Sequence, residues 1–231
     1  MQHTVKSFDE ELTRLSDFLA RMGSLTEQQF AQALEALVRR DADLARKVCA
    51  GDLEIDQIEH AINELVIRVL ALRSPVADDL RLVITALKIA SDLERIADYA
   101  ANIAKRSLSV TEELALPSIG AVHRIGVLVQ RQLRDTLDAN LHRDAEKALA
   151  VWNSDLQVDE MYSGLFRELL TYMMEDPHTI GPASHLLFVA KNIERIGDHA
   201  TNISEMVYFI ITGQRIEGER PKNDSSASVV G

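Results

Sequence analysis

The chain has 231 residues, 46% of them hydrophobic, with a formal net charge of −11 and a single cysteine. That length accommodates one large domain or two modules of roughly 100 residues each. The acidic balance gives no electrostatic footprint for DNA or RNA, Cys49 alone excludes an internal disulfide framework or a cysteine-rich zinc site, and no uncharged apolar run approaches the ~20 residues of a membrane span.

Six long helices are predicted, and nothing alternates apolar and polar residues for long enough to suggest a sheet. The first runs from about residue 7 to 38, with apolar positions at Phe8, Leu12, Leu15, Leu19, Phe30, Leu34 and Leu37. Asp41 is the expected N-cap of the second, whose apolar seam is Val48, Ile55, Ile58, Ile62, Leu65, Val69 and Leu72. Ser74-Pro75 should end it, because a residue before proline avoids helical geometry. A third helix is expected over 76–110, with Leu82, Ala86, Ile89, Leu93, Ile96, Ala100 and Ile103 as its seam.

Glu113–Ser118, which contains Pro117, reads as a linker, after which the pattern restarts. Helices are predicted over 119–140 and 144–175, then a break at Asp176-Pro177 and a last helix over 181–212. The first helix looks longer than its counterpart by a turn or two. Residues 214–231 are polar and aperiodic, the composition of a disordered tail. The organisation expected is all-α: two tandem three-helix bundles, 1–112 and 119–213, in up-down topology with shallow left-handed packing.

Polar residues repeat as well as apolar ones. Residues 93–103 read LERIADYAANI and 193–203 read IERIGDHATNI, which matches Glu94 with Glu194, Arg95 with Arg195, Asp98 with Asp198 and Asn102 with Asn202. Upstream, Asp52-Leu-Glu-Ile-Asp56 matches Asp155-Leu-Gln-Val-Asp159. A core face explains repeated apolar positions but leaves repeated acids unexplained. In heptad register Glu94, Asp98 and Asn102 fall on the outward face, as do Glu194, Asp198 and Asn202, while Asp52, Asp56, Asp155 and Asp159 flank their seams.

Because the second and third helices are antiparallel neighbours, as are the fifth and sixth, each DxxxD is predicted to meet an ExxxD as four surface carboxylates. Such crowding raises some carboxyl pKa values or attracts a cation. Oxygen-only donors suit Mg²⁺, Ca²⁺, Mn²⁺ or ferric iron better than structural zinc. The plainer alternative is a solvated acidic face, with Arg95 and Arg195 balancing part of the charge.

The stretches 92–102 and 192–202 resemble the repeated signature of the PhoU family, bacterial and archaeal phosphate-signalling proteins, and the resemblance extends over about residues 5–212. It implies two three-helix bundles with approximate two-fold symmetry and surface metal sites. By position, Asp52, Asp56, Glu94 and Asp98 would form one site, and Asp155, Asp159, Glu194 and Asp198 the other. The cofactor implied is a divalent or trivalent metal ion: Mg, Mn, Fe or Zn. It further implies a cytoplasmic homodimer that links the phosphate ABC transporter ATPase to a sensor histidine kinase, represses the phosphate-starvation response and restrains uptake. Tyr99 stands where the second copy has His199, and Ala101 where it has Thr201, so the two sites need not be equal. His199 neighbours Asp198, but adjacent helix residues diverge by about 100°, which disfavours it as a nitrogen ligand.

Catalysis is not expected. The one Glu-x-x-His, Glu175 to His178, is interrupted by Pro177, and neither HExxH nor a Gly-rich phosphate loop occurs. Cys49 and its counterpart Trp152 read as packing residues. The alternatives left open are a metal-independent helical adaptor with acidic stripes and a metal-storage or carboxylate-metal hydrolytic protein.

Overall fold

A computed structural model describes residues 2–109 and 118–218, with side chains for 7–109, 118–154 and 156–218. The helices are α1 (Gln2–Arg39), α2 (Ala42–Arg73), α3 (Ala77–Ser109), α4 (Ile119–His142), α5 (Ala145–Asn153), α6 (Asp155–Glu175) and α7 (Ile180–Thr212), with a 3-10 turn at Pro177–Thr179. Among the described residues there is no strand, and no helix is long and apolar enough to cross a membrane. Most of the expected linker (113–117) and tail (219–231) lie outside the described residues.

The stop and start signals act where the sequence puts them. Asp41 caps α2 by accepting from the backbone N–H groups of Asp43 and Leu44 at 3.0 and 2.9 Å. Ser74 leaves the helix before Pro75 at φ 47°, and Asp176 is extended before Pro177, at φ −138° and ψ 108°.

Two lengths differ from expectation. At 38 residues against 24, α1 exceeds α4 by about four turns rather than one or two. The helix expected over 144–175 is interrupted at Ser154, giving α5 and α6. Local polar side chains compete for the backbone there. Ser154 Oγ donates to Val151 O at 2.7 Å, and Asn153 Nδ2 donates to Leu149 O at 2.9 Å. From α4, Gln132 Nε2 donates to the Ser154 carbonyl at 3.2 Å and to its hydroxyl at 2.9 Å. Those bonds give the chain an alternative to the continuous helical ladder.

The core runs through both repeats. α3 packs against α1, α2 and α7, and α7 against α3, α4, α5 and α6. Ile89, Leu93, Ile96 and Ile103 of the predicted α3 seam are buried, as are Leu186, Val189, Ile193, Ile196 and Ile203 in α7, whereas Leu72, expected in the α2 seam, is exposed at the end of that helix. Trp152 is buried as expected, and Cys49 is half-buried with its thiol pKa raised chiefly by burial, the state of an inert packing residue.

α1 and α4 cross with reciprocal notches. A Cβ on Gly126 would lie 2.6 Å from Leu34 Cδ2, and one on Gly23 2.6 Å from Leu137 Cδ2. The missing side chains let these helices approach closely, each leucine sitting over the other helix's glycine. A polar tie joins the repeats as well: His199 Nδ1 of α7 is 2.7 Å from Asp92 Oδ1 of α3.

Candidate functional site

The hairpin geometry sets the acids level with one another. In the first repeat Asp56 stands 17 residues before the end of α2 at Arg73, and Glu94 stands 17 residues after the start of α3 at Ala77. Equal arms of an antiparallel hairpin, at 1.5 Å per residue, put both about 25 Å from its tip. In the second repeat Asp159 stands 16 residues before the end of α6, and Glu194 stands 14 after the start of α7, with the 3-10 turn at the tip.

At the first cluster Asp52, Asp56, Glu94 and Asp98 are all half-buried. Gln29 of α1 is buried beneath them and donates from Nε2 to Asp52 Oδ1 and to Val48 O, both at 3.3 Å. Burial holds the Asp52 carboxyl above the usual aspartate range; the Gln29 amide opposes that, and the charges of Asp98 and Asp56 reinforce it. Glu94 is also raised, first by burial and then by Asp98, with Glu59 and Asp56 adding repulsion. Its relief is Arg95, whose Nε is 3.7 Å from Glu94 Oε2.

The second cluster is deeper. Glu194 is 5% exposed and Asp159 4%, while Asp198 is half-buried. Asp155 opens α6, and its side chain lies outside the described residues. Glu194 is raised chiefly by burial; Lys191 opposes the shift, and Asp198 and Asp159 reinforce it. Lys191 Nζ stands 3.0 Å from Glu194 Oε2. Arg195 does not balance this charge. Its guanidinium lies over the Tyr99 ring of the other repeat, 5.6 Å from the centroid.

The expected outward placement of Glu194 is therefore corrected, since it is buried; Asp159, expected beside its seam at the surface, is buried too, and none of the other described site carboxylates is fully exposed. The heptad rule supposes one partner face, but α3 and α7 each pack against three or more helices, which leaves little of either facing water. The acids interact within each group. Even so, among the described residues no three His, Cys, Asp or Glu side chains converge closely enough to hold a metal ion as they stand. In donor chemistry the groups do fit a hard cation: half-buried or buried, mutually repelling carboxylates, oxygen-only, with one basic side chain against each Glu.

The expectations passed over Gln29, Gln132 and Lys191. A signal for the two glutamines was present, since they lie 103 residues apart, the same spacing as Asp52 and Asp155.

The PhoU domain family model matches residues 19–107 and 122–207. The chain belongs to the PhoU family. The two matched segments cover the two sets of helices that carry the PhoU acidic motifs. A phosphate-specific transport system accessory protein PhoU homolog of Caulobacter vibrioides is 49% identical over 96% of this chain and 97% of that protein. One from Zymomonas mobilis is 46% identical over 98% and 95%. The crystal structure of PhoU from Pseudomonas aeruginosa superposes with a TM-score of 0.87 at 41% identity, covering 90% of this chain and 100% of that one. The phosphate transport system regulatory protein PhoU from Streptococcus pneumoniae gives a TM-score of 0.83 at 33% identity, over 91% and 99%. PhoU proteins are regulatory accessory proteins, not enzymes, which removes the hydrolytic reading.

Proposed function

We propose that the chain is a cytoplasmic regulator of phosphate homeostasis. In this reading it couples the ATPase of the phosphate ABC transporter to a sensor histidine kinase, represses the phosphate-starvation response when phosphate is plentiful, and restrains uptake, working as a homodimer. The observation that carries it is similarity along nearly the whole length of both chains to accessory proteins of phosphate-specific transport systems.

Asp52, Asp56, Glu94 and Asp98 would hold one cation, and Asp155, Asp159, Glu194 and Asp198 the other. A bound divalent or trivalent ion (Mg, Mn, Fe or Zn) supplies the positive charge that these acids lack. Uncompensated, the raised Asp52, Glu94 and Glu194 repel their neighbours. Neutralised, they can close toward one another and present a less acidic face to a partner. That no three side chains already converge among the described residues favours a second reading, in which the same acids receive a basic partner surface with no metal.

A deletion strain grown in abundant phosphate tests the regulatory role. Starvation genes should switch on and phosphate should accumulate; unchanged expression overturns the role. Metal analysis after chelator-free purification should find more than trace ions, and Glu94→Gln with Asp98→Asn should remove those of the first cluster while helix content is kept. Partner binding that survives loss of both clusters would make metal incidental to signalling, and binding that needs the acids but survives removal of the ions by a chelator would support the metal-free reading.

A further inference from the structure

Down the middle of the molecule α3 and α7 run antiparallel, with Arg81 against Phe209, Asp92 against His199, Tyr99 against Arg195 and Arg106 against Phe188. α1 and α4 pack beneath this pair. On the other side the line between α3 and α7 is a groove open to solvent. Its floor is half-buried and polar: Asp92, Tyr99 and His199, with the two rings 5.7 Å apart. Its rim is exposed, with Lys88, Arg95 and Asn102 from α3 and Phe188 and Arg195 from α7. From Lys88 to Arg106 the groove runs about 27 Å at 1.5 Å per residue.

This strip is basic in a chain whose net charge is −11. It carries Lys88, Arg95, Arg106 and Arg195 against Asp92 and Glu205, and Asp92 is already engaged by His199 Nδ1 at 2.7 Å. Elsewhere Arg21, Arg73 and Arg134 each meet a carboxylate of another helix. Lys88, Arg106 and Arg195 form no ion pair among the described residues. Two of them rest on rings instead: the Arg106 guanidinium is 4.1 Å from the Phe188 centroid and that of Arg195 is 5.6 Å from the Tyr99 centroid. A guanidinium stacked on a ring keeps its edge N–H groups available to a planar acceptor such as a carboxylate. Phe188 is itself 54% exposed. Arginines beside uncovered aromatic surface are the residue types enriched where proteins bind one another.

We propose that the α3–α7 groove is the docking site for an acidic helix of a partner protein, whose carboxylates meet Lys88, Arg106 and Arg195 and whose apolar side chains cover Phe188. The flanks select such a shape. Glu94 and Asp98 lie toward α2 on one side, Glu194 and Asp198 toward α6 on the other. A nucleic acid duplex is too broad to avoid both acidic clusters and is repelled by them. A single helix, about 10 Å across, seats between them. This surface is separate from both clusters, so it stands whether or not they take cations. It extends the adaptor reading given above, and its test needs neither the transporter nor the kinase.

The probe is a fluorescein-labelled synthetic helical peptide of about 18 residues, with glutamates at i, i+4 positions on one face and leucines beside them. A second peptide has every glutamate replaced by glutamine. Binding to the full chain is followed by fluorescence anisotropy. The acidic peptide should bind about tenfold more tightly than the neutral one. Lys88→Gln/Arg195→Gln should raise its Kd about tenfold, and Phe188→Ala about fivefold. Lys47→Gln/Arg124→Gln removes the same charge from exposed positions on α2 and α4 and should leave the Kd within about twofold. Equal binding of the two peptides, binding of neither, or equal losses from the two charge-removing pairs would overturn the proposal. Inorganic tripolyphosphate that displaces the peptide as well as unlabelled peptide does would also overturn it, by making the groove a phosphate site. Any of these results leaves the phosphate-regulatory role, which the deletion strain tests, unaffected.

Discussion

Replacing Gly126 with alanine should destabilise the protein, although alanine is the better helix former. Gly126 is buried in α4, and an added Cβ would stand 2.6 Å from Leu34 Cδ2, 2.8 Å from Cδ1 and 3.3 Å from Cγ. Leu34 is 3% exposed. Because both methyls and the branch carbon are confronted together, turning one end aside does not relieve the clash, and the whole leucine must shift. Overpacking of a dense core costs about 1–3 kcal/mol, and the helix-propensity gain returns about 1 kcal/mol. With the clash near the upper end, the net loss is about 1–2 kcal/mol. Gly51→Ala supplies the control, since nothing lies within 4 Å of its added Cβ. Only the propensity term acts there, and stability should rise by about 1 kcal/mol. In thermal unfolding of a chain this size, Gly126→Ala should lower the midpoint by about 3–6 °C and Gly51→Ala should raise it by about 3 °C. A cycle with Leu34→Ala should recover about 1–2 kcal/mol of coupling, because the shortened side chain leaves room for the methyl. Equal midpoints for the two glycine variants would refute the close helix crossing from which this reasoning starts.

The acidic clusters set a pH dependence with a definite sign. Asp52, Glu94 and Glu194 have folded-state pKa values above their ordinary 3.8 and 4.5. The folded chain therefore holds protons that the unfolded chain has released, and without metal its stability falls as pH rises from those ordinary values through the raised ones. Glu11, lowered chiefly by its hydrogen bonds from Arg73, acts oppositely: its contribution is lost as pH falls through its depressed pKa. Urea midpoints from acid to pH 8 should show the decline, and Glu194→Gln should flatten it and gain about 1 kcal/mol at the alkaline end; a steeper decline in that variant would contradict the assignment. Arg143 ends α4 at φ 53°, where an L-residue is strained, so Arg143→Gly should stabilise by about 0.5–1 kcal/mol in the same assay. Loss of the tie between repeats in His199→Phe should cost about 1 kcal/mol, and Asp92→Asn combined with it should add little, as expected for two ends of one contact.

The sequence made legible whatever depends on one helix at a time. Seams, the Asp41 cap and the proline stops follow from spacing and local backbone chemistry, and apart from the exposed Leu72 they lie where expected. What escaped it depends on three or more helices meeting. The burial of Glu194 and Asp159 could not be read from a heptad wheel, because a wheel assigns a face by one neighbour while α7 has four. The break at Ser154 escaped for a related reason. Asn153 and Ser154 are mild helix weakeners that many helices tolerate, and what tips the balance is Gln132, twenty-two residues away on α4. The repeat itself held a clue. The upstream motif recurs at 103 residues and the downstream one at 100, so the second hairpin is three residues shorter between its acids. Seventeen-residue arms on both sides of the first tip become sixteen and fourteen in the second, with a 3-10 turn in the difference. A sequence alignment of the two halves records only a gap. On an antiparallel hairpin the same gap shifts one helix against the other by up to about 3 Å, enough to place like residues in unlike surroundings. Glu94 thus stays half-exposed beside Arg95 while Glu194 is buried beside Lys191, and two clusters with the same signature have separate electrostatics.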